Sequence, residues 1–119
     1  MNIETIILCL FKKSEAIISK PSQIHKAFYK VKYLPKYRDL LKTLLFTGSP
    51  VNPFSEKLNE IFFNLQYVDA IHLHGNELGT YVITENFKEL YEDSIKDIDS
   101  ITLERIGEMC EYILEYMRN

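Results

Sequence analysis

Apolar residues recur along this chain mostly at the three-and-four spacing of helices, and turn residues cut it into six helical segments and one hairpin. The first helix is expected from Asn2 to Ile18, with Ile3, Ile7 and Leu10 on one stripe and Ile6 and Phe11 widening it. Lys20-Pro21-Ser22 ends it, because proline disfavours helix in the residue before it. A second helix runs from Ser22 to Tyr33 with Ile24, Phe28 and Val31 inward, and Pro35 breaks it. A third, Lys36 to Phe46, buries Tyr37, Leu40, Leu41 and Leu44 and stops before Gly48, a left-handed terminator. "SPVNPF" reads as a loop. The fourth helix, Pro53 to Gln66, carries Phe54, Leu58, Ile61, Phe62 and Leu65 inward and is capped by Asn52 or Ser55.

Between Ala70 and Thr84 the period changes to two. The five-residue connection "GNELG" joins two short strands. Pairing His74 with Thr80 sets Leu73 opposite Tyr81, His72 opposite Val82 and Ile71 opposite Ile83. Ile71, Leu73, Tyr81 and Ile83 then share the core face, while Ala70, His72, His74, Thr80, Val82 and Thr84 share the other. A one-residue slip would mix the two sets, so the pattern specifies the register. Thr84 caps a fifth helix, Glu85 to Ile95, with Phe87, Leu90 and Tyr91 inward. The sixth, Ile101 to Met117, has a stripe of Leu103, Ile106, Cys110, Ile113 and Met117 at the seam spacing of paired helices. That stripe either docks on the first helix of the same chain or forms a homodimer through residues 103–117.

Composition narrows the class. A chain of 119 residues forms one domain, 1–119, long enough to bury its own core. Apolar residues at 46% and charged residues at 26% exclude a disordered chain. Cys9 and Cys110 sit in apolar helical patterns at no zinc or disulfide spacing, which predicts buried thiols in a reducing cytoplasm. The apolar run Ile6 to Phe11 is too short to span a bilayer, and its flanking charges are the reverse of a signal peptide's, so no membrane segment is expected.

Net charge is −3, distributed unevenly. Residues 1–48 carry nine Lys and Arg against three Asp and Glu; residues 85–119 carry four against ten. Such polarity marks a nucleic-acid face, head-to-tail packing of the two ends, or ordinary solvated surface.

The candidate chemistry is thin. His72 and His74 point to one side of a strand, but a zinc site needs three or four ligands. Ala70, Val82 and two threonines share their face, and Asp69 falls on the opposite one. No metal or cofactor is expected. The glycines are isolated turn formers rather than a phosphate loop, and no nucleophile lies beside a base, so no catalytic residue is expected and the chain reads as a non-enzyme.

Two binding readings remain. For protein contacts, Phe63 lies opposite the fourth helix's core stripe, flanked by Glu56 and Glu60, and His72 and His74 add the hairpin's outer face. For DNA, Ser55 and Asn59 are residue types that read bases, Lys57 accompanies them, and Lys26, Lys30, Lys36, Arg38 and Lys42 form an upstream basic set. Against DNA, Glu56 and Glu60 would face phosphates, and the hairpin tip offers Asn76 and Glu77 without a cation.

The order of elements (helices, a helix leading into a hairpin, then a return helix) is that of a helix-turn-helix with a wing, so the fold class is mainly α with one β-hairpin, winged-helix-like. "SQIHKAFYKVK", then "LLFTGSPVNPFSEKLNEIFFNLQYVDAIHLHG" and "YVIT", resembles small prokaryotic winged-helix proteins of the YwgA type and, more loosely, Panacea-type antitoxin domains. The resemblance covers roughly residues 20–92, at Lys26, Phe28, Tyr29, Phe46, Gly48, Pro50, Ser55, Glu56, Leu58, Tyr81, Ile83 and Thr84. "GSPVNPFS" departs from it, being longer than the compact Gly-Pro turn of those families. The resemblance implies a non-enzymatic regulator or accessory subunit in antitoxin-like or phage-defence settings. The alternative is a sequence-specific DNA-binding transcriptional regulator acting as a dimer.

Overall fold

Asn2 starts the first helix, α1 (Ile3–Lys13): its side-chain oxygen accepts the Thr5 amide at 2.9 Å. Glu4 lies in the first turn and Lys12 and Lys13 in the last, each matched to the helix dipole. The computed structural model describes residues 2–14, 17–19, 23–75 and 79–118. The expected helix break at Lys20-Pro21-Ser22 and the hairpin tip at Asn76 and Glu77 lie outside the described residues.

The chain then proceeds through β1 (Ile17–Ser19), α2 (Ile24–Lys32), a 3-10 turn (Pro35–Tyr37), β2 (Thr47–Ser49), β3 (Asn52–Phe54), α3 (Glu56–Tyr67), β4 (Ile71–His74), β5 (Thr80–Ile83), α4 (Phe87–Ile95) and α5 (Ser100–Arg118). The molecule is mainly helical, with two small antiparallel hairpins, one of them widened by β1 into a three-stranded sheet of order β1-β5-β4.

Helix α1 is the centre. Every residue from Thr5 to Phe11 is buried, because α5 packs on one side of it and α4 on another. Phe11 meets the rings of Phe62, Tyr81 and Phe87 with centroids 6.0 to 6.4 Å apart, and Tyr81 stacks on Phe62 at 4.9 Å. One aromatic cluster thus ties α1, α3, α4 and the sheet together.

The stripe of α5 is spent inside the chain. Ile106, Cys110 and Ile113 are fully buried and Met117 nearly so, with α5 lying on α1 and α2. Burying each large side chain there is worth about 1.5–3 kcal/mol to the fold of the single chain. Residues 103–117 thus dock on α1 and α2 of the same chain.

The β4–β5 register is the expected one, from Ile71↔Ile83 to His74↔Thr80. Two side chains depart from the expected faces. Ala70 is buried because it belongs to the turn closing α3 rather than to the strand, and Leu73 is 41% exposed, beyond the reach of the core. Three elements also differ. The first helix stops at Lys13, and Ile17–Ser19 forms β1, which pairs with Val82, Tyr81 and Thr80 of β5. β-Branched Ile17 and Ile18 suit a strand once β5 offers an edge. The expected helix over Lys36–Phe46 is a 3-10 turn followed by further turns, closed by Leu40 to Tyr37 and Leu44 to Leu41 amide–carbonyl bonds of 3.0 Å. Its inward residues are nevertheless correct: Tyr37, Leu41 and Leu44 are buried. The expected loop "SPVNPF" contains a second hairpin, β2–β3, in which Gly48 has φ +84.

Candidate functional site

The outward side of α3 is built by its N-cap. Ser55 precedes the helix in extended conformation, and its hydroxyl accepts the Leu58 amide at 3.2 Å. Its own amide donates to His25 Nδ1 at 2.9 Å, and the His25 ring stacks on Phe54 with centroids 4.8 Å apart. Burial pulls the His25 pKa below its ordinary value, which favours the neutral imidazole that can accept. Pro53 and Asn52 lie in β3, so Ser55 is the cap. This corrects the base-reading role considered for Ser55: its side chain is fully buried and engaged with its own helix.

From that start, Leu58, Ile61, Phe62 and Leu65 turn inward, while Glu56, Lys57, Asn59, Glu60, Phe63 and Asn64 are exposed. Phe63 is 64% exposed and Tyr67, one turn further on, 82%. Val68 continues the apolar patch at 55%. Residues four apart are neighbours on a helix, so Glu56, Glu60, Phe63 and Tyr67 form one outward surface with two carboxylates at one end and two aromatic rings at the other. Ending the helix at Gln66 hid Tyr67 from the sequence reading; its spacing from Phe63 was the available signal.

Helix α3 closes with Asp69 at φ +61, a left-handed position for which glycine is the usual residue. The Asp69 amide donates to Gln66 O at 3.0 Å and the Ala70 amide to Leu65 O at 2.9 Å, the paired bonds of a Schellman turn. Thr84 Oγ1 and Asn86 Nδ2 both donate to the Asp69 carbonyl, at 2.5 and 3.2 Å, fastening the end of α3 to the start of α4. Thr84 therefore does not cap α4 directly; it accepts the Asn86 amide at 3.1 Å and leaves Asn86 to precede the helix. The turn also swings the Asp69 carboxylate to His72, 2.9 Å from Nε2, correcting the expectation that it lies on the opposite face. His72 and His74 are exposed on β4, with ring centroids 6.4 Å apart. Among the described residues no three His, Cys, Asp or Glu side chains converge as metal ligands.

The basic set divides. Lys36 pairs with Glu108, so it is engaged rather than presented to a ligand. Arg105 makes a two-pronged contact with Asp39, at 2.8 and 3.0 Å, and also donates to Lys36 O at 2.9 Å. Lys13 meets Glu111 at 3.2 Å. Two of the N-terminal cations, Lys13 and Lys36, are thus met by carboxylates of α5, while Arg105 and Asp39 pair in the opposite sense. Lys26, Lys30, Arg38 and Lys42 are exposed, and none has a carboxylate partner among the described residues.

The thiols are core groups. Burial pushes Cys9 up to about 11 and raises Cys110 further still. Both are held protonated, the inert form of the side chain. No helix among the described residues is long and apolar enough to cross a membrane.

Comparison of the chain with protein-family models, with curated proteins and with solved structures finds no match.

Proposed function

We propose that the chain is a non-enzymatic, winged-helix accessory or regulatory subunit that acts by protein contacts through the outward face of α3. Supporting the fold part of this reading is the order α1-β1-α2-α3-β4-β5, with β1 added beside β5, although a 3-10 turn and the β2–β3 hairpin are inserted between α2 and α3. In winged helices the helix before the hairpin is the recognition element. The observation that carries the functional part is the surface of that helix: Phe63 and Tyr67 largely exposed, Glu56 and Glu60 beside them, and Lys57 as its single cation. Duplex DNA rewards cations at this position, whereas exposed aromatic rings with a charged rim are interface anchors. The sequence resemblance to YwgA-type and Panacea-type proteins supports a setting in prokaryotic defence or antitoxin systems.

The second reading, DNA binding, is favoured by exposed Lys26, Lys30, Arg38 and Lys42. A salt series with mixed-sequence duplex separates the two. Steep salt-dependent binding that disappears when Lys30, Arg38 and Lys42 are changed to Glu overturns the protein-contact reading. Weak binding, indifferent to those changes, supports it.

A further inference from the structure

Lys26 and Lys30 are exposed and together line a cleft. It holds about 310 Å3 and is walled by α2, by the turn joining β2 to β3, and by the last turns of α5. The two lysines stand one turn apart on α2, so their stems are roughly 6 Å apart on one face. The Lys30 ammonium sits 5.2 Å from the centre of the Tyr116 ring, which fixes it at the cleft wall. Gln23, at the start of α2, and Asn52 and buried Pro53, of β3, also line it.

This arrangement differs from that of the other N-terminal cations. Lys13 and Lys36 are neutralised by α5 carboxylates, but α5 presents Tyr116 to Lys30 instead. Two adjacent ammonium groups with no carboxylate partner among the described residues attract a compact, multiply charged anion, and lysine serves phosphate as a point charge. Carboxamides supply both a donor and an acceptor, the pattern by which Asn and Gln read the edge of a nucleobase. The volume lies at the small end of ligand sites, which run from about 300 Å3 upward.

We infer that the cleft between α2, the β2–β3 turn and the end of α5 binds a nucleoside monophosphate, with Lys26 and Lys30 on the phosphate and Gln23, Asn52 and Tyr116 around the base and sugar. The site is separate from the α3 surface and does not depend on it. It gives the chain a small-molecule input besides its protein contacts.

The test is calorimetric titration of the full chain with the four ribonucleoside monophosphates, their nucleosides and inorganic phosphate. At least one monophosphate saturates at or below about 1 mM, and its nucleoside and phosphate alone bind at least about tenfold more weakly. Lys26→Gln and Lys30→Gln each weaken binding about tenfold or more, while Lys88→Gln on α4 leaves it unchanged. Both cleft lysines are exposed, so the variants keep the wild-type melting curve. No saturation by any monophosphate up to about 10 mM overturns the inference. Equal affinity for inorganic phosphate, or equal loss in Lys88→Gln, overturns it as well.

Discussion

Ser55 and His25, thirty residues apart, hold the start of α3 together: the Ser55 amide donates to His25 Nδ1 at 2.9 Å while the Ser55 hydroxyl accepts the Leu58 amide. The bond exists only for the neutral imidazole, since a protonated Nδ1 is itself a donor. Burial alone lowers the His25 pKa from its ordinary 6.5. The stability it contributes is therefore complete above that value. It is lost as pH falls from there through the lowered native value, where the unfolded chain takes up a proton that the folded chain resists. Denaturation curves between neutral and mildly acid pH read this directly. His25→Phe keeps a ring against Phe54 but leaves the Ser55 amide unsatisfied. It is expected to cost about 1–3 kcal/mol at neutral pH and to flatten the slope in that window. An unchanged slope would remove His25 from the account of how α3 begins.

Tyr37 is fully buried, and its hydroxyl has no hydrogen-bond partner among the described residues. Burial, with the Glu108 carboxylate close by, raises its pKa. Its ring packs against Tyr112 at a centroid distance of 5.8 Å. Glu108 is the polar group beside the hydroxyl, and with no bond of ordinary geometry to lose, Tyr37→Phe is expected to stay within about 1 kcal/mol of the parent. A thermal melt showing clear destabilisation would mean that the hydroxyl has a partner.

Gly48 is needed where it stands. Its φ is +84, and a Cβ there would lie 2.7 Å from the Asn52 carbonyl oxygen across the β2–β3 hairpin. Gly48→Ala is expected to cost more than about 1 kcal/mol, because both the backbone conformation and the backbone contact oppose it. Gly107 has no such restriction, meeting only the end of the Lys13 side chain at 3.9 Å, and Gly107→Ala in mid-helix is the comparison that gains stability.

Acid should loosen α5. Lys36 holds the Glu108 carboxyl below its ordinary range, and Arg105 does the same for Asp39. Stability from depressed carboxyls is present above the unfolded values near about 4 and is lost as pH falls through the lowered native ones. Reversing one pair, with Lys36→Glu and Glu108→Lys together, should restore most of the melting temperature lost in either single variant. Failure of the double variant to recover would show that the pair's charges do not act on each other.

Period-two sorting made the β4–β5 register legible, since a one-residue slip would put Ile71 on the face opposite Tyr81 and Ile83. The stripe of α5 was equally legible, because Ile106, Cys110 and Ile113 recur at a spacing that one neighbour can bury. What escaped were features set by distant partners. Ile17 and Ile18 fit a helical continuation until β5 supplies an edge. Tyr37, Leu41 and Leu44 point inward whether the backbone is α-helical or a run of turns, so the core was readable and the element was not. Phe63, Glu56 and Glu60 followed from helical phase. Ser55 did not, because it precedes the helix and its amide is claimed by His25 thirty residues away. The pairing of Lys36 with Glu108 likewise depends on where α5 docks.

The outward face of α3 is tested most directly by affinity capture from cells of the source organism, with nuclease treatment and quantitative mass spectrometry. Wild-type chain and a Phe63→Glu/Tyr67→Glu variant are compared, with Lys88→Gln as a surface control. All three substituted side chains are exposed, so the fold is retained. The expected result is one protein enriched in near-stoichiometric amount by wild type and by the control, resistant to nuclease, and lost from the Phe63/Tyr67 variant. Enrichment that persists in that variant, or that nuclease abolishes, would contradict a protein-contact role for this surface.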